Sequence, residues 1–441
     1  MPSLRLLIAS LALPALPLAA ADPPPVKPPP DLAEYVAKKD PAYAWEAKGK
    51  IETPAGDVFE LKLVSQEWQG GKWTHAVQVF VPKGVKPTAT VLLYNTGGSP
   101  SPATGFLGIT LATKVGAPVA FVYHVPNQPL LGGKSEDALI AETFVRYLEK
   151  EDPTMPLLFP MVKSVTAAMD AVQAFAKKEW DFEVKQFVVA GASKRGWTSW
   201  LAAASGDPRV KAIVPMVIDN LNLRAQMEHQ VKCFGKPSEM IKDYVERKLV
   251  PPPDTPAAMK LWAMVDPWVY REKLTCPKLI VNGTNDPYWA VDAMNLYWDD
   301  LKGDNRVLYV PNAGHGLEET DATGKKSRDR VVNTTAAFVK GQVFDKPLPK
   351  LTWAHANGRL DVKSDAVPKA ARLWVAYSPT RDFRSAKWAS TDSKVSAEGA
   401  VRAVVGIPSD EYAAFFVECD YELDGLAYTL STQLHVVGKK P

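Results

Sequence analysis

Residues 187–200 read "FVVAGASKRGWTSW", and their reading decides the fold class. Phe187 to Ala190 form an apolar, strand-like run, Gly191-Ala192-Ser193 is a tight turn of small residues, and the stretch after it has helical character. A Gly-x-Ser turn between a buried strand and a helix is the sequence form of a nucleophile elbow, in which a sharp bend leaves the serine hydroxyl exposed. The second glycine such a turn usually carries would fall at 195; Arg195 stands there, and Gly196 follows one residue later. Lys194 and Arg195 then occupy the first helical turn, where the partial positive charge of the helix N-terminus disfavours cations by roughly 0.3–1 kcal/mol. They need compensation, from a carboxylate of the fold (Asp219, after the next strand, is a candidate) or from an anionic group on a substrate.

Outward from the elbow, apolar runs alternate with helical ones. Residues 75–82, 89–95 and 117–126 read as strands, and 159–178 as a helix with Val162, Val165, Met169, Val172 and Phe175 at spacings of three and four. Strands at 186–190, 210–218, 276–283 and 305–314 follow, with helices to about 204, near 291–302 and near 325–340. Continuous apolar strands alternating with helices predict an α/β class with a mostly parallel, α/β-hydrolase-like sheet over 32–345. Residues 221–275 interrupt it with a helical insertion, read either as a lid over the carboxyl ends of the strands or as a peripheral addition. Past the linker "KPLPK" (346–350), residues 346–441 are short strand-like runs at regular spacing, which predict a small all-β sandwich domain of immunoglobulin or fibronectin type.

In a hydrolase of this topology the acid and the histidine follow the serine in that order, each in a loop after a late strand. "LIVNGTNDPYW" places Asp286 in the first such loop, with Asp292 as a rival, and "VLYVPNAGHGL" places His315 in the second. Of six histidines, His75, His124 and His229 precede the acid, and His355 and His435 lie in the β domain. His315 would take the proton of Ser193, Asp286 would hold the imidazole tautomer, and backbone N–H groups would receive the oxyanion. Lys194 would supply one such donor, and Gly97 or Thr96 of "YNTGGSP" the second. Arg195 and Lys194 are the residues placed to bind an anionic substrate group.

The 441 residues are 46% hydrophobic and 23% charged with a net charge of +3, an ordinary globular composition with no basic run, so nucleic acid is not an expected partner. Arg5, the apolar run "LLIASLALPALPL" and Ala19-Ala20-Ala21 read as a secretory signal peptide over 1–21, followed by a proline-rich tether over 22–31. A periplasmic or secreted location follows, and no later stretch is apolar enough to span a membrane. Cys233 and Cys276 could pair in an oxidising compartment, or all three cysteines, with Cys419, could be buried thiols. No cofactor or metal is expected: "GGKS" (132–135) lacks the earlier glycine of a phosphate loop, where Gln128 stands, and HExxH, paired CxxC and EF-hand patterns are missing.

The elbow, "IDNLN" (218–222), "DPWVY" (266–270), "PKLIVNGTNDPYW" (277–289) and "YVPNAGH" (309–315) resemble the PhoPQ-activated pathogenicity-related proteins. "YVAKKDPAYAW" (35–45) and "ARLWVAYSPTRDFRSAKW" (371–388) extend the likeness over about 32–435. The resemblance implies an exported α/β-hydrolase-like protein with a C-terminal β domain, with Ser193, Asp286 and His315 on hydrolase positions. The Ser-x-x-Gly spacing with a basic residue after the serine is also similar to glucuronoyl esterases. The expected activity is that of a serine hydrolase acting on a carboxylic ester, small or linked to a peptide or glycan. A secreted peptidase or amidase, or a non-catalytic binding or signalling protein on the same scaffold, are the alternatives.

Overall fold

In the computed structural model, residues 28–321 and 323–438 are described; the signal-peptide reading of 1–21 and most of the tether lie outside them. The first helix, Asp31–Ala37, starts at the last residue assigned to the tether.

Nine strands form the hydrolase part of the sheet: β1 (Ala44–Thr53), β2 (Gly56–Trp68), β3 (Gly71–Pro82), β4 (Thr90–Asn95), β5 (Val119–Val122), β6 (Gln186–Ala192), β7 (Val210–Met216), β8 (Lys278–Gly283) and β9 (Asn305–Val310). Their spatial order is β1-β2-β3-β5-β4-β6-β7-β8-β9, and every pair from β5 to β9 is parallel. This is the α/β-hydrolase topology. The central strands are apolar because helices cover both faces: Leu158–Trp180 and Lys194–Ala204 on one side, Pro102–Val115 and Asp329–Val343 on the other. The long hairpin β1–β2 had no counterpart in the sequence reading; β1 is mostly exposed, so it lacks the alternation that marks a half-buried strand.

One expectation is corrected. The helix near 291–302 is two short 3₁₀ turns, Ala293–Leu296 and Trp298–Asp300. Cys233, Cys276 and Cys419 are all unpaired. The C-terminal strands are all-β as expected. Strands Leu426–Ser431, Tyr412–Leu423, Ala370–Ser378 and Ala389–Ser393 prolong the hydrolase sheet beyond β9, joined through the pair Ser431–Val307. A second sheet, Leu351–Ala356, Arg359–Ser364 and Ala400–Val404, completes the two layers. The apolar core runs on across the junction, with Val281 and Leu308 in the same cluster as Phe415 and Val417. Among the described residues no helix is long and apolar enough to cross a membrane.

Candidate functional site

Ser193 stands between β6 and the helix Lys194–Ala204 with φ 57° and ψ −126°. That conformation costs a non-glycine residue of order 1–3 kcal/mol and persists only where its surroundings enforce it. They do so here. Ser193 N–H donates to Met216 O at 2.8 Å, and the Asn95 side chain reaches under the turn to Ala190 O at 2.7 Å and Ser199 Oγ at 3.1 Å. A Cβ on Gly191 would fall 2.6 Å from Arg195 O, and one on Gly196 would fall 2.6 Å from Ile218 Cγ2 and 2.9 Å from Met216 O. The second glycine is therefore needed at 196, where the helix presses on the end of β7, and position 195 is free to carry a large side chain.

Arg195 uses that freedom. Its guanidinium makes two 2.8 Å bonds to Glu136, and Nε donates to Val125 O at 2.6 Å. Lys194 Nζ donates to Asp137 Oδ2 at 2.8 Å and lies 3.5 Å from Glu136. The carboxylates that offset the two cations are thus Glu136 and Asp137, which begin the helix Glu136–Lys150, and not Asp219, which accepts a bond from Tyr297. Burial works against the Glu136 carboxylate, but the bonds and charge of Arg195, with Gln128 and Lys194, hold it down to about 2. Arg195 does not face the serine's cavity; it packs under the loop of Gly97 and Gly98. Lys194 does line that cavity, with Asp137 beside it.

Of the two donors expected from "YNTGGSP", Thr96 N–H is committed to Val122 O at 2.9 Å.

Asp286 and His315 are in contact. His315 Nδ1 lies 2.8 Å from Asp286 Oδ2, Tyr288 N–H donates to Asp286 Oδ1 at 2.9 Å, and the Tyr288 ring packs on the imidazole at 4.3 Å between centroids, tilted by 32°. Asp286 is buried. The rival Asp292 is engaged elsewhere, with His229 Nε2 at 2.6 Å and Arg381 Nη2 at 2.5 Å. His229, Cys233 and Asp292 bring three atoms able to bind a metal within 4.8 Å of one another, but the Arg381 guanidinium sits on Asp292 and supplies the positive charge a cation would bring.

Ser193 and His315 line one cavity. The rest of its wall is mostly apolar and comes largely from the insertion: Leu223, Met227, Ile241, Tyr244, Val250 and Trp262, with Trp197 behind them. Residues 221–275 therefore lie over the strand ends at the serine. Sequence reading missed Asn95, Glu136, Asp137 and Tyr288; only the acidic pair opening a helix, as "SEDALI" (135–140), could have signalled a site for cations.

The model of the family described as PhoPQ-activated pathogenicity-related protein matches residues 32–384. The autocrine proliferation repressor protein A of Dictyostelium discoideum is 30% identical over 434 residues, covering 88% of this chain and 85% of that protein. Among solved structures, acetyl xylan esterase 1 from Thermoanaerobacterium sp. JW/SL YS485 is similar at 16% identity and a TM-score of 0.46, over 68% of this chain and 92% of that one. A glucuronoyl esterase from Solibacter usitatus is similar at 14% identity and a TM-score of 0.39, over 75% of this chain and 98% of that one. The strand order and the geometry around Ser193, not these two likenesses, carry the functional reading. With its family model spanning the hydrolase part and entering the β part, the chain belongs to the PhoPQ-activated pathogenicity-related protein family.

Proposed function

We propose that this protein is an exported serine hydrolase that cleaves carboxylic esters through Ser193, His315 and Asp286. One observation carries the reading: an Asp286–His315 pair at 2.8 Å and a serine in strained elbow geometry open onto the same cavity. Export rests on the leader-like sequence of residues 1–21. His315 accepts the Ser193 proton as Oγ attacks the ester carbonyl, and Asp286 holds Nδ1–H and steadies the imidazolium. The oxyanion is received by the backbone N–H groups of Lys194 and Gly97. Collapse expels the alcohol, which takes the proton from His315; water, activated by the same imidazole, then releases the acid from the acyl-enzyme.

The substrate we assign is a neutral ester with an apolar substituent. Lys194 Nζ already holds Asp137 at 2.8 Å, so a substrate carboxylate would have to displace an internal one, and the insertion side chains over the serine are apolar. Fluorophosphonate labelling of the purified protein tests the reading. Stoichiometric labelling that disappears in Ser193→Ala is expected. A natively folded protein that takes no label and hydrolyses no ester would point instead to a binding protein on a hydrolase scaffold, and cleavage of peptides in preference to esters would point to a peptidase.

A further inference from the structure

The loop 379–388 connects two strands of the β part, Ala370–Ser378 and Ala389–Ser393, yet its bonds reach back to the two loops that carry Asp286 and His315. Asn285, the residue before Asp286, donates from Nδ2 to three carbonyls of this loop: Ala386 O at 2.7 Å, and Phe383 O and Arg384 O at 3.2 Å. Asn312, three residues before His315, makes a reciprocal pair with Trp388, donating to its carbonyl at 2.9 Å and accepting from its N–H at 2.8 Å. Phe383 and Trp388 are buried and hold the loop in place.

The acid and histidine loops are also bonded to each other. Asn285 N–H donates to Ala313 O at 2.9 Å, Asn312 N–H to Thr284 Oγ1 at 2.9 Å, and Thr284 Oγ1–H to Asn285 Oδ1 at 2.8 Å. They approach so closely that a Cβ on Gly283 would fall 2.4 Å from Ala313 O. All three acceptors of the Asn285 amide group belong to the loop from the β part, so the hydrolase part alone does not satisfy it.

We propose that the C-terminal β part is a working component of the hydrolase site: loop 379–388, through Asn285 and Asn312, sets the separation and orientation of Asp286 and His315. Asn285 and Asn312 are positioning residues, and this role rests on the hydrolase reading above. An anchor so near the pair matters because catalysis tolerates little displacement; a misplacement of about 1 Å costs on the order of a hundredfold in rate.

The test uses the full chain with Asn285→Ala and Asn312→Ala, and Arg402→Ala as a control at an exposed position of the outer sheet. In both asparagine variants kcat should fall about tenfold to a hundredfold while KM stays within about threefold, and the control should match the parent. The low-field proton resonance of His315 Nδ1–H on Asp286 should shift or broaden in the two variants and stay in place in the control. That resonance reads the pair without turnover, so it tests the anchor even if the parent protein hydrolyses no ester and the hydrolase reading fails. Parent-like kcat together with an unmoved resonance would overturn the proposal. So would loss of native circular dichroism in both variants, since the anchor would then serve folding and not the pair.

Discussion

Gly97 and Arg195 touch so closely that a Cβ built on the glycine would lie 1.7 Å from Arg195 Nη2 and 2.2 Å from Cζ. The guanidinium cannot swing aside cheaply, because Glu136 holds both of its terminal nitrogens and Val125 O holds Nε. The arginine that breaks the usual elbow spacing is thus the floor under the loop assigned to the oxyanion.

Gly97→Ala should therefore move the loop and not the arginine. Loss of one oxyanion donor costs about a hundredfold to a thousandfold in kcat, and that loss is expected here with KM little changed. Arg195→Ala makes room for the methyl group, so Gly97→Ala should do less further damage in that background than in the parent protein. Simple additivity of the two losses in a double-mutant cycle would show that the contact is not what fixes the loop.

The apolar cavity predicts a preference among esters. Each buried methylene contributes up to about 0.8 kcal/mol, so lengthening the apolar substituent by four carbons should raise kcat/KM by on the order of a hundredfold. The check is one p-nitrophenyl series from acetate to hexanoate and one alkyl acetate series of matching length. A rise in either series, abolished when Met227→Trp fills the cavity, is expected; flat profiles in both would exclude an apolar substrate.

His229 gives a pH dependence with a definite sign. Burial alone would lower its pKa, but the bond and charge of Asp292, aided by Cys233, raise it to about 9 from an ordinary value of 6.5. Arg381 faces the same carboxylate, and Asp292 is held down despite its burial. A base whose folded pKa is raised contributes stability that is fully present below about pH 6.5 and lost as pH rises through about 9. Thermal unfolding between these limits should show a fall in Tm that His229→Gln lacks. Equal slopes for the two proteins would mean that the imidazolium does not secure helix Leu223–Phe234 against the 3₁₀ turn following Asp292.

Much of the site was legible because its signals are local. The elbow declares itself in fourteen consecutive residues, and Asp286 and His315 each sit just after a run whose continuous apolar character marks a strand buried on both faces. Strand β1 was not legible for the same reason in reverse, since its exposed residues carry no periodicity. Thr96 was offered beside Gly97 as an oxyanion donor because a sequence does not tell which N–H the sheet has already taken.

The sequence by itself determined the α/β-hydrolase class and the presence of a β-rich C-terminal part. Only the tertiary structure decided what neutralises Lys194 and Arg195, and it chose carboxylates 57 and 59 residues away in the chain. It also decided that the β part extends the hydrolase sheet and reaches its acid loop, through a bond between residues 101 apart. The physical reason is common to these cases. Periodicity and turn chemistry are properties of neighbours along the chain, whereas a charge or an amide is satisfied by whatever the folded chain brings within about 3 Å.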